Sequence, residues 1–89
     1  MKQLVRTNAF ERDYKKSLKR RKDLKRLEAV IRLLAQGESL PKRYRPHKLA
    51  GQYLGFWECH VEPDWLLIYC VNEDSIDLVR LGRHTDLFR

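Results

Sequence analysis

The segment Trp65–Val71 is apolar over seven consecutive residues, and no other feature of the chain restricts its fold so strongly. It is far shorter than the roughly 20 residues needed to span a bilayer, and it suits a central strand covered on both faces. On either side of this run the hydrophobic period differs. Upstream it is helical: Phe10, Tyr14 and Leu18 form one stripe, and Thr7 and Asn8 offer N-caps, Asn8 with Glu11 making a capping box. Arg20-Arg21-Lys22 marks a turn. Asp23 then caps a second helix with Leu24, Leu27, Val30 or Ile31, and Leu34 on its core face, and Gly37 ends it. A connection this short predicts an antiparallel helical hairpin.

From Gly55 the period becomes two. Trp57, Cys59 and Val61 fall on one face of a strand, and Phe56, Glu58, His60 and Glu62 on the other. Pro63 has no amide hydrogen for a ladder and predicts a bulge or bend. Asn72–Ser75 reads as a turn and Ile76–Leu81 as the next strand. Gln3–Arg6 reads as an edge strand, the proline-bearing Leu40–Leu49 as a loop, and Gly82–Arg89 as a short polar tail. The expected architecture is α+β: an N-terminal strand, a two-helix hairpin, then an antiparallel sheet with the helices packed on one face. The other face is expected to meet water or a ligand. At 89 residues the chain is expected to form one domain, 1–89.

Charge is divided unevenly along that plan. Residues 1–50 hold 16 Lys+Arg against 5 Asp+Glu, whereas residues 51–89 hold 3 against 7. The cations concentrate in Lys15, Lys16, Lys19, Arg20, Arg21, Lys22, Lys25 and Arg26, eight in twelve residues. Spread along helices they suit a phosphate backbone gripped without reading sequence. The bland reading is a solvated helical face. The start has no apolar stretch long enough for a signal peptide, and Cys59 and Cys70 are too few for a disulfide framework. A soluble cytoplasmic protein without membrane contact is expected.

The three histidines, His47, His60 and His84, all lie outside the helices. Their spacings match no metal-ligand pattern, so neither metal nor cofactor is expected. Cys59 shares parity with Trp57 and Val61, which points it to the core rather than to nucleophilic duty. There is no glycine-rich phosphate loop. Acid–base cleavage of RNA fits the inventory better. The 2′-hydroxyl supplies the nucleophile, so the protein needs only a base, an acid and a cationic donor. Histidines serve the first two roles and Arg80 the third. Asp64, just past Pro63, and Glu58, on the strand parity of His60, add carboxylates. Trp65 and Phe88 could stack on an unpaired base, or could simply pack in the core or tail.

The segments His47-Lys48-Leu49-Ala50-Gly51, Glu58 to Tyr69 with its His60-Val61-Glu62-Pro63-Asp64-Trp65 core, and Leu81-Gly82-Arg83-His84-Thr85-Asp86-Leu87-Phe88 resemble the YafQ branch of RelE-type toxins. The resemblance covers essentially the whole chain. It implies a RelE-like fold and the toxin of a type II toxin–antitoxin pair, an mRNA endoribonuclease acting in the ribosomal A site. It further implies a cognate antitoxin from the same operon, contact with mRNA and the small ribosomal subunit, and contact with DNA only through the antitoxin. Carried over by position, the active-site set is His47, His60, Asp64, His84 and Phe88. Trp65 adjoins this set, and Glu58 and Arg80 match residues implicated in relatives. The expected roles are His84 as general acid, His47 or Asp64 as base, His60 orienting the phosphate or a partner side chain, Arg80 stabilising charge, and Phe88 placing a base. Lys48 and Arg83 join the basic helices in holding RNA. The competing classes are a non-catalytic RNA- or DNA-binding module, a pure protein-interaction domain, and a nuclease that needs no ribosome.

Overall fold

A computed structural model describes residues 1–88. Strand β1 (Gln3–Arg6) leads into helices α1 (Asn8–Lys19) and α2 (Leu24–Ala35). Two 3₁₀ turns, Lys42–Tyr44 and Gly51–Tyr53, flank the two-residue strand β2 (His47–Lys48). Strands β3 (Trp57–Glu62), β4 (Trp65–Val71) and β5 (Ser75–Gly82) follow, and helix α3 (His84–Leu87) closes the described chain.

The sheet order is β1-β5-β4-β3-β2, so the apolar run Trp65–Val71 is indeed its centre. Strands β2 to β5 are mutually antiparallel, while β1 lies parallel to β5 at the edge, pairing Leu4 with Ile76 and Arg6 with Leu78. The pairing of β3 with β4 shifts register between His60 and Glu62, at the position where Pro63 predicts a bulge. Thr7 caps α1 by accepting from the Phe10 amide at 3.0 Å, in place of the Asn8–Glu11 box. Asp23 caps α2 by accepting from the Lys25 amide, and Gly37 follows its end with φ 75°.

The sheet carries apolar clusters on both faces. On the helix side Phe10, Leu27, Val30 and Leu34 pack onto Cys59, Val61, Leu67, Ile76, Leu78 and Leu81. The stripe expected on α1 holds only in part: Phe10 is buried, but Leu18 is exposed and Asp13 and Ser17 are buried instead. Both polar side chains have tertiary partners, which hydrophobic periodicity does not register. The opposite face is not left to solvent, as the sequence suggests. Leu66 and Ile68 are covered by Leu87, with Leu49, Tyr53, Phe56, Val79 and Phe88 packed around them. The proline-bearing loop and the C-terminal tail therefore close a second small core. Residues 84–87 of that tail form α3, and His47 sits on β2 rather than in a loop. Among the described residues no helix is long and apolar enough to cross a membrane.

Candidate active site

Strand register assembles the site. One cross-strand row runs His47–Glu58–Ile68–Arg80, and a second runs His60–Leu66–Gly82. The rows are two residues apart along β3, so the buried Leu66 and Ile68, covered by Leu87, lie between polar margins. His60 and Gly82, which leads into α3, stand on opposite sides of Leu66, two strand spacings or about 10 Å apart.

On the β2–β3 margin, Glu58 is a buried carboxylate behind two imidazoles. Its Oε1 is 3.2 Å from His47 Nε2 and 3.9 Å from His60 Nε2, and the two rings are 6.3 Å apart by centroid. His47 Nδ1 lies 2.9 Å from the carbonyl oxygen of Arg45, and His60 Nδ1 lies 3.2 Å from that of Pro63. Each Nδ1 can therefore donate to a carbonyl, which fixes ring orientation and turns Nε2 inward. Glu58 is 5% exposed and its Oε2 has no partner. That corrects its expected place among groups meeting substrate: its carboxylate faces the two imidazoles and not solvent.

On the other margin, α3 is held by carboxylates from two directions. Asp64 Oδ1 accepts from the His84 amide at 3.0 Å, and Asp86 Oδ2 accepts from the Arg83 amide at 2.9 Å. Asp86 also pairs with Arg20 at 2.8 Å and Arg83 at 3.5 Å. The hydrogen bond from Arg20 is the main cause that holds the Asp86 carboxyl well below its usual range. Gly82 makes close packing possible here, since a Cβ would meet Asp86 at 3.1 Å and Leu87 at 3.4 Å. The exposed His84 ring stacks on Phe88 at 4.9 Å, and Phe88 meets Tyr53 edge-on at 5.5 Å. The Tyr53 hydroxyl donates to the Leu87 carbonyl. His84 thus has a fixed backbone and an exposed ring. Asp64 has one oxygen committed as the cap of α3.

Arg80 is anchored from behind. Its Nε and Nη2 donate to Asp13 at 2.7 and 3.2 Å, and Asp13 also accepts from the Leu81 amide at 2.9 Å. The bond to Asp13 is the chief cause that raises the Arg80 pKa, and Tyr53 contributes to the same shift. Cys59 sits in the core as expected, and burial pushes its thiol up to about 12, which leaves it unreactive.

The basic segment divides into two groups. Arg20, Lys22 and Arg26 are tied to Asp86 and Glu62, and with Arg83 they border a cavity of about 330 Å³ beside Asp64. Lys15, Lys16, Lys19 and Lys25 are exposed and make no ion pair among the described residues. Arg21 takes the left-handed turn between the helices with φ 57°. Lys48 lies over the Trp57 ring at 5.7 Å. Trp65 corrects an expectation: it is 1% exposed, and its Nε1 donates to Ser17 Oγ at 3.3 Å. It is a core residue and cannot stack on a base. Sequence reasoning missed Tyr53, Asp86 and Asp13, all of which hold site residues through tertiary contacts. The Asp86 carboxyl, three residues after Arg83, carried a readable capping signal.

Among the described residues no group of three or more His, Cys, Asp or Glu side chains is arranged to hold a metal ion. What remains is a small basic α+β protein with an acid–base cluster across one end of its sheet. The family of bacterial toxins of type II toxin–antitoxin systems named YafQ matches residues 2–89. The mRNA interferase toxin YafQ of Escherichia coli K12 is 38% identical over 80 residues, 89% of this chain and 87% of that protein. The crystal structure of YafQ from E. coli BL21(DE3) is similar with a TM-score of 0.95 at 32% identity, covering 100% of both chains. The E. coli DinJ–YafQ complex gives 0.92 at 33% identity, again with 100% of both chains covered. A copper-bound mutant toxin from Helicobacter pylori gives 0.94 at 38% identity, covering 99% of this chain and 100% of that one. The chain belongs to the YafQ family of type II toxins.

Proposed function

We propose that this toxin is an endoribonuclease that cleaves mRNA in the ribosomal A site, with residues 1–89 acting as one domain. The observation that carries the reading is an exposed His84 ring on one margin of the sheet and a histidine–carboxylate cluster on the other, two strand spacings or about 10 Å apart. A phosphodiester bound at the rim between the His47 and His84 margins has a proton acceptor on one side and a donor on the other. His47 takes the proton of the 2′-hydroxyl, whose oxygen attacks the adjacent phosphorus. The bond to the 5′-oxygen breaks, and His84 delivers a proton to that leaving oxygen. The products are a 2′,3′-cyclic phosphate and a 5′-hydroxyl end.

We take His47 rather than Asp64 as the base; in support, one Asp64 oxygen already accepts from the His84 amide. His60 orients the phosphate, Arg80 offsets developing charge, and Phe88 backs the acid and positions a base. RNA brings its own nucleophile, so this route uses neither metal nor cofactor. The E. coli relative's name as an mRNA interferase supports the same reaction class.

The exposed Lys15, Lys16, Lys19 and Lys25 suit ribosomal or messenger phosphates in the cytoplasm. A cognate antitoxin is the expected protein partner, as DinJ is in the E. coli complex. DNA contact would pass through that partner. The test is to map RNA ends on programmed ribosomes and on free RNA, with the parent and with His84→Ala. New 2′,3′-cyclic or 3′-phosphate ends from the parent, reduced about 10²–10⁴-fold in the variant, support the reading. A folded His84→Ala protein of full activity removes His84 as the acid. A parent that binds RNA without generating ends makes this a binding module.

A further inference from the structure

A second feature adjoins the catalytic margin and takes no part in the mechanism above. Strand β2 covers β3 only at Trp57 and Glu58. Beyond that point the chain on the β2 side turns away through Arg45, which is held left-handed with φ 49° as its amide donates to the Lys42 carbonyl at 2.9 Å. The uncovered length of β3 is the floor of a cavity of about 510 Å³ bordered by Arg26, Arg43, Tyr44, Arg45, His60 and Pro63. That volume is within the roughly 300–1,000 Å³ range of small-ligand sites.

Its walls are cationic and flat. The Arg43 guanidinium lies over the Tyr44 ring at 4.7 Å from the centroid, and Arg43 Nη2 donates to the Tyr44 hydroxyl at 3.1 Å. Arg43 and Arg45 are exposed. The carboxylate at the groove, Glu62, already pairs with Lys22 at 2.6 Å and with Arg26 at 3.9 Å. Positive charge is therefore left over, on planar groups that stack on bases and grip phosphate in a fork. His60 is shared between this groove and the Glu58 cluster, so a strand leaving the scissile phosphate past His60 enters the groove directly.

We infer that this groove is a nucleotide subsite for single-stranded RNA next to the cleaved bond, with Arg43 and Tyr44 as the base platform and Arg45 as the phosphate contact. It rests on RNA being the substrate. Planar stacking surfaces and continuity with His60 favour RNA over an acidic peptide laid along the free edge of β3.

The probe is an uncleavable, fully 2′-O-methylated single-stranded oligonucleotide carrying a photoactivatable thiouridine, with the dinucleotide that fills only the catalytic site as control. Crosslinked peptides are mapped, and affinities are measured for the parent and for Arg43→Ala combined with Arg45→Gly, a change that relieves the left-handed position. Arg43→Glu serves as a second variant, and circular dichroism checks the fold of both. The expected result is a crosslink within residues 42–45 and affinity for the longer RNA lowered about 10-fold or more, with dinucleotide binding unchanged. Crosslinks confined to other surfaces, or unchanged RNA affinity in both folded variants, overturn the subsite. So does loss of antitoxin binding with RNA binding intact, which assigns the groove to a peptide. If the parent leaves cleavable RNA whole but still crosslinks at Tyr44, the subsite stands and the nuclease reading falls.

Discussion

Strand β4 shows its odd residues to one side of the sheet and its even residues to the other, and the two sides treat buried polar groups differently. On the helix side Asp13 accepts from Arg80 and from the Leu81 amide, and Ser17 donates to the Asp13 carbonyl while accepting from Trp65. On the other side Glu58 is just as buried, yet its Oε2 has no partner. An unsatisfied buried oxygen costs about 1–3 kcal/mol. The loop leading to that face also holds Arg45 left-handed, at a further cost of about 1–2 kcal/mol. Asp13 and Ser17, which tie the helix to the sheet, are saturated; Glu58, which faces the histidines, is not. Arg21 between the helices is left-handed as well, and Glu11 Oε1 on α1 also lacks a hydrogen bond. What sets the second face apart is an unsatisfied carboxylate set directly against two imidazoles.

The largest effect expected from breaking this division is on chemistry. His84→Ala should lower cleavage by about 10²–10⁴-fold and leave thermal stability nearly unchanged, because the bond to Asp64 comes from the backbone amide. Assays on programmed ribosomes with parallel melting curves separate the two. A variant that loses stability and activity together would show that the site face is a second core and little more. A sharper contrast comes from neighbours on β4. Leu67 faces the helices and Leu66 the site, and both are almost wholly buried. Leu67→Ala should cost about 2–5 kcal/mol in urea unfolding and spare the activity of each folded molecule. Leu66→Ala should cost less stability, within the smaller cluster, and more activity, since Leu66 separates His60 from Gly82. Equal losses in both readouts would erase the difference between the faces.

What was legible in the sequence follows the same division. Period-two alternation put Trp57, Cys59 and Val61 on one face and Phe56, Glu58 and His60 on the other, because a strand's pleat fixes parity whatever its neighbours do. The site histidines were legible as residue types outside the helices, and their gathering is the work of strand register. Contacts between distant segments were not legible. Ser17 and Asp13 displace Leu18 from the core face because Trp65 Nε1 and the Leu81 amide need acceptors, a demand raised dozens of residues away. The tail reads as polar and yet forms α3, because Asp64 and Asp86 take its first amides. Trp65 gave no local sign of which of its two readings applies: the choice is made by Ser17 beneath it.

Asp13 tests whether the saturated face also supports the unsaturated one. Asp13→Ala frees a buried backbone amide and two guanidinium donors, at a cost of about 1.5–3 kcal/mol because the bonds involve charged groups. Asp13→Asn keeps one oxygen acceptor and should cost less. If Arg80 works at the site only when anchored, cleavage should fall in both variants by more than the unfolded fraction explains. Activity that simply tracks the folded fraction would confine Asp13 and Arg80 to packing.

The smallest effect concerns the tie between the basic helix and α3. Asp86 is held below its ordinary carboxyl value of 3.8, chiefly by the hydrogen bond from Arg20. A depressed carboxyl stabilises the fold fully above its unfolded value, and that stabilisation fades as pH falls below it. Asp86→Asn should therefore cost about 1 kcal/mol near neutral pH, as expected of a partly exposed pair. The gap between parent and variant should narrow as acid is added below about pH 4. Urea midpoints taken at neutral pH and at about pH 3 read this directly. A gap that stays constant across that range would mean that Arg20 and Asp86 hold α3 by shape rather than charge, leaving Asp64 as the ionic anchor of the site.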